Sequence, residues 1–467
     1  MTTKKTLPEL LELSQDKKFL FLGREGLFTQ DEIARFLKKY NIIMTKYLEE
    51  DVVATIEPLN LNPVEEDISN DAYDKKIPSF SLDEFEKHLS DGINDNELLM
   101  AIKLTNDQAR VKRLLGNEHF CETLFLKLLM MYAWHDEEED DRDDRDVIMY
   151  TLRRYIQIGI NEEDLLYSYL TLRRLVIEAN NPKLLLVLIS FPNFIFVVRG
   201  KETVTLQQMI ARNPYIDQEV ITTLSRLKDI HVDTALAANP TVPLSYLEKS
   251  LAKKESVLDH ALAMNPSIDN KIFQDLLSKD DKTIQLLLYT QPIDNNCLMM
   301  IKKAKLEKEL FNTLGANERL SLDVIEELLS YNNHTLHIHL AQNPTLSTQI
   351  LNKLYQKKDT SLYEALAANP NSEVSILEEL YHADDSTAIA IALANNPCTP
   401  VSILRELFAR DSFEIYKSLA SNGSLPLDLL DRLKIDTRLQ NQLAQNPIMK
   451  QWYSTVMDYD KNAGQLL

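Results

Sequence analysis

ALAANP stands at residues 235–240 and again, letter for letter, at 365–370. The copies lie 130 positions apart, five times 26, in a chain that is not low-complexity. Aligned on the Asn of that stretch, a series runs Asn213, Asn239, Asn265, Gln291, Asn317, Asn343, Asn369, Asn396, Asn422 and Asn446. The steps are 26 residues, with one of 27 and one of 24. A fixed period of this length marks stacked supersecondary units.

The residues around the aligned position say what each unit is. Leu or Ile stands three before it in every unit, from Ile210 to Leu443, and an apolar residue stands seven before it from Val232 onward. An i, i+4 apolar pair is one face of a helix. Ala dominates two before, as at Ala237, Ala263, Ala341 and Ala367, which suggests close backbone approach between neighbouring helices. Pro follows in eight of the ten units. An Asn in the left-handed region followed by Pro reads as a helix stop. A second stripe at +7, +8 and +11, such as Ile376, Leu377 and Leu380, makes a second helix face. Each unit is then two short helices, a polar turn such as KKDTS or ADDST, and an Asn-Pro stop. One pair cannot bury its own stripe, but stacked pairs can, which predicts an α-solenoid of about ten 26-residue repeats over 201–450.

Degenerate units extend the pattern upstream. LLGNEHFCETLFLKLL places Leu114 three before Asn117 and Leu124, Phe125 and Leu128 at the second-helix positions; VIEANNPKLLLVLI (176–189) matches more loosely. Residues 96–200 read as a helical region of such units, and 451–467 as a cap and tail. The organisation resembles the leucine-rich repeat variant family, whose units run LAxNPxTPxxxLxxLA and form right-handed solenoids of short helices. The segments ALAANPTVPLSYLEKSL, ALAANPNSEVSILEELY and ALANNPCTPVSILRELF carry it. The longer period keeps a HEAT-like geometry open. One type within that family carries a cysteine-held iron–sulphur module; Cys121, Cys297 and Cys398 are not clustered, so no cofactor is expected.

Composition agrees. Glycine is scarce, 9 in 467 residues, which disfavours tight β-turns and a phosphate-cradling Gly-rich loop. The net charge of −20 opposes duplex DNA and anionic membranes. Three scattered cysteines form no C-x-x-C pair and suit a reducing cytoplasm. The N-terminus lacks the apolar run of a signal peptide. KLLLVLISFPNFIFVV (183–198) is short for a membrane span and reads as a buried helix plus turn.

Residues 1–95 differ. KFLFLG (18–23), IIMTK (42–46), DVVATIE (51–57) and IPSFS (77–81) read as strands. Thr29 caps a helix from TQDEIARFLKKY with Glu32 as its capping-box partner, Ser81 caps SLDEFEKHL, and a polar loop runs to about Asp74. This small α/β domain resembles the BRCT domains of bacterial DNA ligases in FLFLGREGLFTQDEIARFLKKY, MTKYLEEDVVATIE and KIPSFSLDEFEKHL. It departs from them at Tyr40–Asn41, where the family has Gly-Gly, and at Phe85, where it has an aromatic such as Trp. Phosphate-binding members carry Ser or Thr before the first-strand glycine; here Leu22 precedes Gly23, leaving Arg24, Thr29 and Lys46 as a candidate anion site.

Six residues before each Asn stand Asp233, Asp259, Gln285, Phe311, His337, Tyr363, Ala390 and Tyr416. This row lies at the rim of the apolar face and would form a groove with an acidic end and an aromatic end, a candidate partner-binding ladder, with packing between helices as the plain alternative. HTLHIH (334–339) puts His334 and His337 on one face without further ligands, short of a zinc set. HDEEEDDRDDRD (135–146) lacks the order of a calcium loop and reads as a solvated loop between helices. No nucleophile or zinc-protease motif is present. The expectation is a non-enzymatic scaffold that grips a protein on the solenoid. The alternative, implied by the BRCT resemblance, is an accessory protein of DNA repair or replication, with any direct DNA contact confined to residues 1–95.

Overall fold

The computed structural model describes residues 6–23, 26–135, 142–156, 168–198, 202–383 and 386–451. The protein is mainly α, with a small sheet domain followed by an array of paired helices, and it divides into two compact units, Met1–Val232 and Asp233–Leu467.

The first unit opens with α1 (Leu7–Leu13), β1 (Lys18–Phe21), α2 (Gln30–Lys38), β2 (Ile43–Thr45), β3 (Val52–Glu57), α3 (Pro63–Asp74), β4 (Ser79–Ser81) and α4 (Leu82–Gly92). The strands form one parallel sheet in the order β2-β1-β3-β4. Phe19, Leu20, Ala54 and Ile56 are fully buried in it, and Phe85 of α4 is packed edge-on by Phe21 and Phe36. Thr29 and Glu32 form the expected capping box, and Ser81 caps α4. The polar loop expected before Asp74 instead contains α3. Asn62 accepts from the N–H groups of Val64 and Glu65, Glu65 returns to the Asn62 N–H, and Pro63 sits at the first helical position. These are strong start signals whatever the polarity of the helix that follows.

α5 (Asp95–Thr105), α6 (Gln108–Leu115), α7 (Glu122–Leu129), α8 (Arg142–Tyr155), α9 (Ser168–Glu178) and α10 (Pro182–Leu188) follow. Positions 142–146 of the acidic run belong to α8 rather than to a loop; 136–141 lie outside the described residues. Asp144 accepts from Tyr132 Oη and the His135 N–H, and Asp146 pairs with Lys112, so folded donors draw this end of the run into a helix. The apolar run after α10 is not helix and turn alone. It continues into a hairpin of β5 (Ile195–Val198) and β6 (Glu202–Thr205), whose alternation buries Phe196 and Val204. α11 (Leu206–Arg212) and α12 (Gln218–Arg226) close the unit.

The repeats of the second unit are successive helix pairs. They are α13 (Ile230–Ala238) with α14 (Leu244–Ala252), α15 (Ser256–Met264) with α16 (Asn270–Leu276), and α17 (Asp281–Thr290) with α18 (Asn295–Ala304). Next come α19 (Lys308–Asn312), extended by a 3₁₀ turn to Ala316, with α20 (Leu322–Ser330), and α21 (His334–Gln342) with α22 (Thr348–Tyr355). α23 (Tyr363–Ala368) pairs with α24 (Val374–Ala383), α25 (Thr387–Asn395) with α26 (Val401–Ala409), α27 (Phe413–Ser421) with α28 (Leu427–Leu433), and α29 (Gln440–Gln445) ends the series. Neighbouring first helices pack more intimately than neighbouring second helices. Ala237, Ala263, Ala341, Ala367, Ala394 and Ala420 are fully buried, which is the close approach their size permits.

The aligned Asn is not left-handed. Asn265, Asn343, Asn369, Asn396 and Asn422 have φ between −80° and −72° and ψ between 115° and 123°. That is the extended region a following Pro favours, and Asn422 before Gly423 and Asn317 before Glu318 adopt it too, so the Asn bonds and not Pro alone hold it. The left-handed turns come after the second helices instead, at Lys254, Lys305, Lys358 and Asp411. Non-glycine residues hold these turns, which is how the unit repeats with so little glycine.

Candidate interaction surface

The Asn side chains set the spacing of the repeats. Asn265 Nδ2 donates to the carbonyls of Ala237 (2.7 Å) and Asn239 (3.1 Å), and its Oδ1 accepts the Ser267 N–H at 2.9 Å. Asn343, Asn369, Asn396, Asn422 and Asn446 repeat both bonds to the preceding rung. Two amide hydrogens cap the end of the preceding first helix, and the oxygen closes the next turn. Gln291 reaches the same carbonyls, Ala263 and Asn265, from a first helix that runs one residue longer. In the first unit Asn213 does likewise to Val176 and Ala179, with the β5–β6 hairpin inserted between.

This frame fixes the row six residues before each Asn, and six of its eight members meet a side chain on or just after the following second helix. Asp233 accepts from Tyr246 Oη at 2.9 Å and Lys253 Nζ at 2.6 Å; Asp259 pairs with Lys279 at 3.0 Å. Phe311 packs on Tyr331, Tyr363 on Tyr355, and Tyr416 on Phe408, with ring centroids 5.0–5.9 Å apart. His337 is buried, with Nε2 3.3 Å from Lys357 Nζ. Burial, and then the Lys357 charge, hold its pKa below the ordinary value. Asp233, Asp259 and His337 are thus inside the helix–helix seam, while Phe311, Tyr363 and Tyr416 stay half-buried at its edge. Gln285 is exposed and Ala390 buried. The other notable histidine, His334, is exposed and pairs with Asp359.

A different row is open to solvent. Five residues after the aligned position, at the start of the second helix, five of the ten units carry an exposed aliphatic: Leu244, Leu322, Val374, Val401 and Leu427, exposed by 42%, 69%, 47%, 48% and 62%; the other five carry Gln218, Asn270, Asn296, Thr348 and Gln451. From α20 to α28 only Thr348 interrupts it. Charged side chains nearby on the second helices are paired between repeats: Lys271 with Glu248, Lys353 with Glu326, and Arg405 with Asp428 in bidentate fashion. Scattered exposed aliphatics are ordinary, but a periodic row of them is a candidate contact surface. The signal lay in the same alignment: reading +5 as well as −6 would have shown it.

In the sheet domain, Thr29 at the start of α2 and Lys46 just after β2 both stand at the carboxyl end of the parallel strands, where such sheets bind ligands. Arg24 lies outside the described residues. Thr29 Oγ1 is held by Glu32. The chain's own carboxylates occupy neighbouring donors at this edge: Glu65 takes the Gly23 N–H at 3.1 Å and Glu86 the Leu27 N–H at 2.6 Å. Burial pushes the Glu86 carboxyl up.

Among the described residues no group of three or more His, Cys, Asp or Glu is placed to hold a metal ion, and no helix is long and apolar enough to cross a membrane. Comparison with family models, curated proteins and solved structures gives no match to the chain.

Proposed function

We propose that the chain is a non-enzymatic interaction scaffold whose second unit grips a protein partner through the apolar row Leu322, Val374, Val401 and Leu427. The single observation behind this is that row: periodic, exposed and carried on elements whose positions the Asn rungs fix. With helices packed roughly 10 Å apart, it offers an extended apolar strip of the kind that forms the core of an interface. The three free cysteines accord with a reducing, cytoplasmic setting.

The full chain is the bait for the test. Leu322→Asp, Val401→Asp and Leu427→Asp together should release the proteins it captures while leaving its circular dichroism and melting unchanged. Tyr363→Ala with Tyr416→Ala should release them less. Capture that survives the triple Asp variant would sink the reading.

The alternative, a role in DNA repair or replication through a BRCT-like domain, has one supporting observation. With α3 in place, β1 to α4 run strand–helix–strand–strand–helix–strand–helix, the order that resemblance implies. The acidic carboxyl edge of the sheet favours recruitment through a protein over a direct phosphate contact. Binding of a DNA end by the full chain, weakening steeply with salt, would favour direct contact instead.

A further inference from the structure

Between the turn after α6, the start of α7 and the last turns of α8, the first unit has a half-open cavity of about 640 Å³. That is within the size range of small-molecule sites. It arises where the repeat fails. In the second unit the carbonyls at each Asn, and just before it, are capped by the Asn of the next repeat. Twenty-six residues after Asn117 is position 143, which falls in the opening turn of α8 and not at a helix end. The turn Leu115–Asn117 is therefore faced by Tyr150, Arg153 and Arg154 of α8, and space is left between.

Much of the wall is internally paired. The Arg154 guanidinium lies 4.7 Å over the Phe125 ring and donates to the Phe120 carbonyl. Glu122 accepts from Tyr155 Oη at 3.2 Å and Asn181 Nδ2 at 2.7 Å. Burial, and next the Glu122 charge, push the Tyr155 phenol up, so it stays a donor. Tyr150 packs against Gly116, its Cζ 3.4 Å from where a Cβ there would stand. Arg153 lines the same cavity, is exposed, and has no hydrogen bond or ion pair among the described residues. Glu118, on the opposite turn, is also an exposed charge of the lining, as is Glu122, which is held by Tyr155 and Asn181.

We propose that this cavity binds a small organic anion carrying a planar ring, with its carboxylate or phosphate on Arg153 and its ring against Tyr150. A guanidinium offers paired donors in the geometry of either anion, and it is unspent here. The face of the partly exposed Tyr150 ring suits a flat body. The site is independent of the scaffold surface in the second unit.

Calorimetric titration of the full chain with inorganic phosphate, benzoate and adenosine monophosphate tests this and separates the two anion types. Benzoate or adenosine monophosphate should bind more tightly than phosphate. Arg153→Ala should weaken that binding about tenfold or more, the scale of a lost charge-assisted contact. Glu118→Gln should tighten it by removing a competing carboxylate, and Tyr150→Leu should weaken both ring-bearing probes. Arg405→Ala, an arginine of the second unit, should change nothing. The proposal is overturned if none of the three binds at millimolar concentration, or if Arg153→Ala binds them as the unaltered chain does.

Discussion

The side-chain amide of Asn369 donates to the backbone carbonyls of Asn343 at 2.9 Å and Ala341 at 2.7 Å, one repeat upstream, while its oxygen accepts the Asn371 N–H at 2.9 Å. The side chain is buried, so water cannot replace it. Asn369→Leu keeps the volume, removes the bond to the Ala341 carbonyl and leaves the Asn343 carbonyl only the long Leu346 N–H bond at 3.4 Å. At about 1–3 kcal/mol for each unpaired buried group, a loss of roughly 3 kcal/mol is expected in urea unfolding. Asn369→Asp should be at least as costly, because a carboxylate offers no hydrogen to either carbonyl. Equal stability of Asn369→Leu and the unaltered chain would show that the rung is incidental.

Gly315 occupies the position held by Ala in most repeats. A Cβ there would lie 2.7 Å from His339 Cβ and from the Leu336 carbonyl oxygen, against the backbone of α21. The 3₁₀ turn at the end of this first helix accompanies the tighter approach. Gly→Ala inside a helix ordinarily stabilises by about 1 kcal/mol. Here Gly315→Ala should destabilise by about 1–3 kcal/mol through overpacking. Gly423→Ala, whose nearest neighbour is Pro447 Cγ at 3.2 Å, is the comparison and should cost less than Gly315→Ala. A more stable Gly315→Ala protein would refute the close approach.

In the first unit Arg110 of α6 donates to Glu32 of α2, and both are buried. Glu32 also holds the Thr29 N–H at 2.9 Å, so one carboxylate caps the helix and ties the sheet domain to the helices that follow. Arg110→Met should cost about 3–5 kcal/mol by leaving that charge uncompensated in the interior. The double variant Glu32→Gln with Arg110→Met should recover much of this loss. A double-mutant cycle in denaturant reads the coupling, and single and double losses that simply add would contradict it.

What the sequence showed, it showed through repetition. The Asn series, the Leu positions and the Ala positions mark the helix pairs because each recurs in one environment. The role of Asn was harder to see. A left-handed stop and an extended residue with a bonding side chain both leave Asn before Pro in the text, and only the carbonyls one repeat away tell them apart. α3 escaped because its polarity outweighed the N-P-V-E start at Asn62–Glu65, though the capping chemistry was legible. The row from Asp233 to Tyr416 recurs at one place in each first helix, as periodicity implies. Its rim position did not reveal that Lys253, Lys279 and Lys357, twenty residues further on, would cover part of it. Such pairings depend on how the second helix folds back, which periodicity in one helix does not encode.

His337 supplies the last prediction. It is buried in α21 beside Lys357, and the neighbouring charged groups are His334 and, paired with it, Asp359. Burial and the Lys357 charge lower its pKa from the ordinary 6.5, so the folded protein holds the neutral imidazole. The unfolded chain takes up its proton at the ordinary value and the folded chain only below it. Stability from this site is therefore complete above pH 6.5 and is lost as pH falls toward the lowered folded value. Asp359, lowered by its bond from Ser361 and then by His334, follows the same direction but in the carboxylate range, below the ordinary 3.8. The two windows are thus separable. Urea unfolding between pH 7.5 and 5 should show a midpoint that declines with acidity, and His337→Gln, which keeps an acceptor near Lys357, should flatten that decline. An identical pH profile in the variant would place the titration elsewhere.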